Sequence, residues 1–118
     1  MAFLVCYSNS IDDHTARDKA VYLDHSFYKL IFRNCRRETS GYNVLRRIAN
    51  LRYKGPAILI ATEQLTTLVS ELEALEDANL THPQIHEFKS VCQNATDRQT
   101  NLTISSDMYL ELKGWLAD

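Results

Sequence analysis

The chain has 118 residues, of which 45% are hydrophobic and 24% are charged, and its formal net charge is −2. This length and composition are typical of one globular domain with its own core, so we predict a single domain over residues 1–118. The slightly negative charge argues against a dedicated nucleic-acid-binding domain, which normally carries a clear basic excess.

The cysteines and the apolar runs indicate the cellular compartment of the protein. Cys6, Cys35 and Cys92 are an odd number without a C-x-x-C pair, which favours a reducing compartment over a disulfide framework. The apolar run at residues 2–7 has no basic start and is too short for a signal peptide or a membrane span. We therefore expect a cytoplasmic protein without a membrane partner.

The first third of the chain predicts a strand, a helix and a strand. Residues 3–7 form a continuous apolar run, typical of a strand covered on both faces. Residues 12–23 fit a weak helix; if they form a loop instead, the first two strands can pair antiparallel. In residues 26–33, apolar side chains at alternate positions predict a second strand with basic side chains on its other face.

The middle third predicts a helix, a strand and a helix. Residues 41–50 fit an amphipathic helix with Ser40 as its N-cap. The apolar run at residues 57–61 predicts another central strand. Apolar residues then recur at helical spacing over residues 63–77, with Thr62 as the N-cap of that helix.

The last third predicts a helix that begins at Pro83, because proline is favoured in the first turn. A strand follows at residues 102–105, with its Leu and Ile inward and its Thr and Ser outward. Residues 108–115 fit either a short helix or a docked strand.

Strands that alternate with helices predict an α/β protein. We predict one small domain with a mixed sheet of about four strands, packed by three to four helices. The alternative is an α+β two-layer sandwich.

The strongest charge pattern is the basic stretch at residues 33–54, where only Glu38 opposes seven basic residues. Arginine presents a planar fork of donors that matches phosphate oxygens, and the predicted helix start at Ser40-Gly41 offers backbone N–H groups to an anion. Whether the two arginine groups meet depends on the turn at residues 38–41. The candidate binding residues are Arg33, Arg36, Arg37, Arg46, Arg47, Arg52 and Lys54.

Charge is divided between the two halves of the chain. Residues 1–54 hold ten basic and five acidic residues, whereas residues 55–118 hold three basic and ten acidic residues. Acidic side chains near a helix C-terminus oppose its dipole, so those of the 63–77 helix do not serve helix stability. Four of them are predicted to form an acidic surface on the outward side and end of that helix: Glu71, Glu73, Glu76 and Asp77.

No strong catalytic motif is present. A phosphate-cradling loop needs several glycines close together, and Gly41, Gly55 and Gly114 are isolated. His82 and His86 have metal-ligand spacing, but Pro83 makes His82 a helix cap instead. Cys35 lies among arginines that could activate its thiol, although an ordinary, partly buried cysteine is the simpler interpretation.

An acidic pocket able to hold a divalent ion would form from Asp12, Asp13 and Asp107, with His14 and Glu63, if the strands were parallel. Capping of helix N-termini explains these residue types more simply. We therefore predict no catalytic residue, no metal site and no cofactor.

The leading hypothesis is a small non-enzymatic protein-interaction or regulatory module, with a protein partner or a second copy of itself as a homodimer. Binding of nucleic acid or a phosphate ligand through residues 33–54 is the alternative. A metal-dependent enzyme that uses Asp12, Asp13 and Asp107 is the third hypothesis.

Overall fold

A computed structural model describes residues 2–8, 18–51 and 57–106. Within these ranges, four strands form one sheet, and each of the three neighbouring pairs is antiparallel. The strand order is β2–β1–β4–β3, where β1 is Phe3–Tyr7, β2 is Asp18–Leu23, β3 is Ala57–Ile60 and β4 is Leu102–Ser106.

Four α-helices pack with this sheet in the described ranges, and short 3-10 helices at Glu38–Ser40 and Thr62–Gln64 precede the second and third. The prediction of a single α/β domain with about four strands and up to four helices is confirmed. No helix in the described ranges is both long and apolar enough to cross a membrane. The helices are α1 His25–Cys35, α2 Val44–Ala49, α3 Leu65–Asp77 and α4 Pro83–Arg98.

The helix predicted over residues 12–23 is wrong for residues 18–23, which form β2. This strand pairs antiparallel with β1. The alternative drawn from the sequence had instead paired residues 3–7 with the strand predicted at residues 26–33. Residues 12–17 lie outside the described residues.

The strand predicted over residues 26–33 is also wrong, because these residues belong to α1. Asp24 caps the helix: its Oδ1 accepts a hydrogen bond from the Phe27 N–H at 3.0 Å. The side chains buried by α1 are Phe27, Tyr28, Ile31 and Cys35, which recur at helical spacing. Helical burial therefore prevails over the two-residue alternation that had predicted a strand.

The sheet positions of two predicted central strands differ. β1 lies between β2 and β4, as predicted, but β3 is an edge strand with three half-buried residues out of four. All of β4 is buried, including Thr103 and Ser105, so their predicted outward exposure is wrong. These two residues pair in register with Cys6 and Leu4 of β1, which form a separate small cluster of buried side chains.

The predicted N-terminal cap is correct for α4 and wrong for α2 and α3. Pro83 begins α4, and His82 caps it through Nδ1, which accepts from the Gln84 N–H at 3.1 Å. Thr62 is not the N-cap of α3; its N–H and hydroxyl both donate to Asn101 Oδ1 at 2.9 Å. Ser40 is not the N-cap of α2, which begins at Val44 rather than residue 41.

One main core joins the sheet to the helices. It contains buried residues from all four strands, such as Phe3 of β1 and Ile104 of β4, together with residues from all four helices. This packing fixes where each helix presents its exposed side chains.

Candidate functional site

The basic stretch divides into two parts that have different surroundings. Arg33 lies in the last turn of α1, Arg36 is the C-cap of that helix and Arg37 follows it, and all three are exposed. Arg46 and Arg47 lie in α2 and are half-buried. Two further candidates, Arg52 and Lys54, lie outside the described residues.

The start of α2 is occupied by the carboxylate of Glu71, which reaches it from α3. Glu71 Oε2 accepts from the Asn43 N–H at 2.8 Å, and Oε1 accepts from the N–H groups of Val44 at 3.0 Å and Leu45 at 2.8 Å. Glu71 is only 7% exposed, so its assignment to an acidic surface is wrong.

Glu71 takes the place that an anionic ligand would need at this helix start. Asn43, the N-cap residue of α2, makes no capping bond with its own side chain, and the carboxylate satisfies these N–H groups instead. Just before α2, the Tyr42 N–H donates to Ser40 Oγ and the Ser40 N–H donates to Arg37 O. The predicted phosphate site at Ser40-Gly41 therefore has no support in the geometry.

Arg47 holds the edge of the sheet. One guanidinium N–H donates to Leu59 O of β3 at 3.1 Å, and another donates to Gln64 Oε1 at 3.1 Å. Gln84 makes a similar contact at the opposite edge, where its Nε2 donates to Tyr22 O of β2 at 2.8 Å. Side chains that cover edge carbonyls discourage pairing with another strand. Arg47 therefore points towards β3 and not towards Arg33 and Arg36.

Arg36 is held by stacking instead of by a hydrogen bond of its side chain. Its guanidinium carbon lies 4.6 Å from the centre of the Phe32 ring, which in turn stacks on Tyr28 at 5.5 Å. The backbone of Arg36 is also fixed, because its carbonyl accepts from Asn50 Nδ2 at 2.9 Å. A guanidinium that stacks on an aromatic ring keeps its N–H groups, which lie in its own plane, available as hydrogen-bond donors.

Lys29 extends this exposed group by about one helical turn, and it was not predicted because residues 26–33 were assigned to a strand. In α1, Lys29, Arg33 and Arg36 follow one another at spacings of four and three residues, so they share a helix face. None of them, nor Arg37, forms an ion pair or a side-chain hydrogen bond with a described residue. We call these four residues the basic face: Lys29, Arg33, Arg36 and Arg37.

The remaining acidic candidates lie at the C-terminal part of α3. Glu76 forms an ion pair with Lys89 of α4, whereas Glu73 and Asp77 are exposed and form no ion pair with a described residue. The hydrogen bond from Lys89 to Glu76 raises the pKa of the Lys89 amine, and the charges of Glu73 and Asp77 add to this. One cation thus contacts one carboxylate and lies in the field of two more. We call Glu73 and Asp77, which keep the excess negative charge, the acidic face.

A cluster of Asp24, Ser26 and His82 was not predicted. The Ser26 hydroxyl donates to Asp24 Oδ1 at 2.6 Å and lies 2.7 Å from His82 Nε2. Since His82 Nδ1 accepts from the Gln84 N–H, the ring proton is on Nε2 and donates to Ser26. A serine nucleophile needs the opposite polarity, with histidine accepting its proton, so this cluster is not a catalytic triad.

The same cluster has a structural role. It joins the start of α1 to the start of α4, and the Asp24 N–H adds a hydrogen bond to Gln84 Oε1 at 2.9 Å. The bonds from Ser26 and from the Phe27 N–H lower the pKa of the Asp24 carboxyl. Its sequence signals are the Asp24 and His82 caps, but their contact across 58 positions of the chain has no local signal.

The enzyme hypothesis depended on parallel strands, and that condition is wrong. β4 runs antiparallel to both β1 and β3, and its last residue, Ser106, pairs with Phe3 at the start of β1. The chain therefore leaves β4 at the opposite end of the sheet from β1 and β3. Asp12, Asp13 and Asp107 themselves lie outside the described residues. Within the described ranges, no three His, Cys, Asp or Glu side chains are placed to hold a metal.

Cys35 and Cys92 lie in surroundings that disfavour a thiolate. Burial, with a contribution from the nearby Glu71 charge, raises the pKa of the Cys35 thiol to about 12. Burial likewise raises the pKa of Cys92 to about 12. Cys35 is fully buried rather than partly buried as predicted, and its raised pKa does not support a reactive thiolate.

A comparison with protein-family models, curated proteins and solved structures finds no match to this chain.

Proposed function

We propose that this protein is a small non-enzymatic protein-interaction or regulatory module that binds an acidic surface of a partner protein through its basic face. The observation that carries the proposal is the contrast between cations. Lys89 and Arg98 are paired with Glu76 and Asp18, whereas the four cations of the basic face have no such partner among the described residues.

The arrangement of the basic face suits carboxylates of a protein. Its helical residues recur about once per turn, so several can contact one acidic segment at the same time. Arg36 is oriented in advance by Phe32, which reduces the conformational entropy that binding would cost. Exposed ion pairs contribute about 0.2–1 kcal/mol each, so we expect modest affinity that falls as salt increases.

A cytoplasmic location fits this function. Cys6, Cys35 and Cys92 are all buried and form no disulfide within the described part of the chain. Buried thiols that remain reduced are typical of a reducing compartment.

The test uses a fluorescent poly-glutamate peptide and fluorescence anisotropy at low salt. Lys29→Glu combined with Arg33→Glu should weaken binding about tenfold, because two attractive contacts become repulsive. Arg33→Glu alone should weaken binding more than Lys19→Glu, which makes the same charge change at an exposed position of β2. Equal effects of the two single variants, or no effect of the double variant, would contradict the proposal.

Binding of nucleic acid or a phosphate ligand is the second candidate function, supported by the exposed guanidinium groups of Arg33, Arg36 and Arg37. A single-stranded RNA oligonucleotide tests it in the same assay. Phosphate contacts would give a steep loss of affinity with salt, because they release counterions. Strong RNA binding without peptide binding would show that the partner is a nucleic acid and not an acidic protein.

A further inference from the structure

Building on the proposed function, we propose that the acidic surface bound by the basic face of one copy is the acidic face of a second copy. The module would then associate with itself through α1 of one copy and α3 of another.

The spacing of the charges supports this pairing. Lys29 and Arg33 are four residues apart on α1, and Glu73 and Asp77 are four residues apart on α3. With a rise of about 1.5 Å per residue, both pairs are separated by about 6 Å along their helix axes. Two helices laid side by side can therefore form both ion pairs at once.

The local electrostatics of α3 also favour a cation from outside. Asp77 is the last residue of the helix, where a negative charge opposes the dipole, and the last turn contains no basic residue. Lys89 is already engaged with Glu76. Cations of a second copy would offset the repulsion that remains around Glu73 and Asp77.

The surface beside the acidic face has room for a partner's side chains. A groove of about 390 Å³ runs between α3 and α4, and Val69, Glu73 and Gln93 are among the residues that line it. Glu73 lines this groove and is therefore open to a side chain of a second copy.

The contact would be reversible because it lacks an apolar centre. Tyr22, which is 46% exposed, is the one large hydrophobic side chain exposed in the described ranges, and it lies on β2. Stable homodimer interfaces are more apolar than this. We therefore expect self-association that depends on protein concentration and disappears at high salt.

The experiment is a charge swap followed by sedimentation velocity at low salt. One variant carries Lys29→Glu and Arg33→Glu, and the other carries Glu73→Lys and Asp77→Arg. Each variant alone should be monomeric. In the first, the basic face becomes net neutral and its two new carboxylates would oppose Glu73 and Asp77, and in the second both faces are positive. An equimolar mixture should associate again, since the new carboxylates of one variant meet the new cations of the other.

Several outcomes would overturn the inference. A wild-type protein that stays monomeric at all concentrations in low salt would do so, as would a mixture that does not associate. Circular dichroism checks that both variants fold; if one does not, Lys29→Gln with Arg33→Gln must still weaken the wild-type association. Lys19→Glu serves as the control and should leave self-association nearly unchanged.

The poly-glutamate assay separates this inference from the proposed function. If the basic face binds the peptide but the charge-swapped mixture does not associate, the interaction module stands and its partner is another protein. If neither binding is seen, both proposals are wrong.

Discussion

The two ends of the basic stretch show how one side-chain type takes two different roles. In α2, the donors of Arg47 are used on Leu59 and Gln64, and the helix start is closed by Glu71. At the end of α1, Arg33 and its neighbours make no ion pair with any described residue. A run of basic residues is therefore a candidate binding surface only where the fold leaves the donors unused.

At the α2 end of the basic stretch, the polar groups are paired with one another inside the protein. A buried carboxylate is costly unless hydrogen bonds replace the water that it loses, and three backbone N–H groups supply these bonds to Glu71. The benefit is mutual, because α2 has only six residues and isolated helices shorter than about 12 residues are marginal in water. Glu71 thus holds α2 against α3.

The largest expected effect comes from Glu71→Gln. The amide places an NH₂ group where the carboxylate accepts backbone N–H groups, and we expect a loss of about 1–3 kcal/mol in the free energy of unfolding. Urea denaturation measures it. Glu73→Gln, an exposed change in the same helix, is the matched control and should stay within about 0.5 kcal/mol of wild type. Equal losses of unfolding free energy in the two variants would mean that the hydrogen bonds of Glu71 to the start of α2 add nothing special to stability.

Arg47→Met should have the next largest effect. Methionine keeps much of the aliphatic stem but loses both hydrogen bonds, so we expect about 1–2 kcal/mol of destabilisation. Arg46→Met is the neighbouring control, because Arg46 makes no side-chain hydrogen bond within the described residues. The unfolding free energies of both variants are compared by urea denaturation. If Arg46→Met is the more damaging change, the structural role assigned to Arg47 is wrong.

Local signals predicted part of the fold well. Pro83 and the His82 cap define the start of α4, and the apolar stripe defines α3 although the predicted cap of that helix is wrong. The apolar residues in 26–33 fit both the two-residue period of a strand and the period of a helix. The helix is signalled by its N-cap, Asp24, which lies just outside the alternating run. The edge position of β3 is set by strand order, which depends on contacts distant in sequence.

The candidate site was predicted less completely. Arg33, Arg36 and Arg37 were among the predicted binding residues, but Lys29 joins them on one surface only once residues 25–35 are known to be a helix. Glu71 carried a signal that was overlooked, since it lies between Leu68 and Leu75 on the apolar stripe. Its hydrogen-bond partners in α2 are more than 25 residues away in sequence and could not be inferred from local pattern.

Substitutions in the basic face should have the smallest effect on stability, although they should change binding most. Lys29→Gln with Arg33→Gln removes two exposed charges that form no ion pair with a described residue, so the free energy of unfolding should stay within about 0.5 kcal/mol of wild type. Loss of Arg33 from the last turn of α1 accounts for a few tenths of that, through the helix dipole. Urea denaturation provides the measurement. A loss as large as that of Arg47→Met would mean that the basic face stabilises this chain itself, and its cations would then no longer be available to a partner.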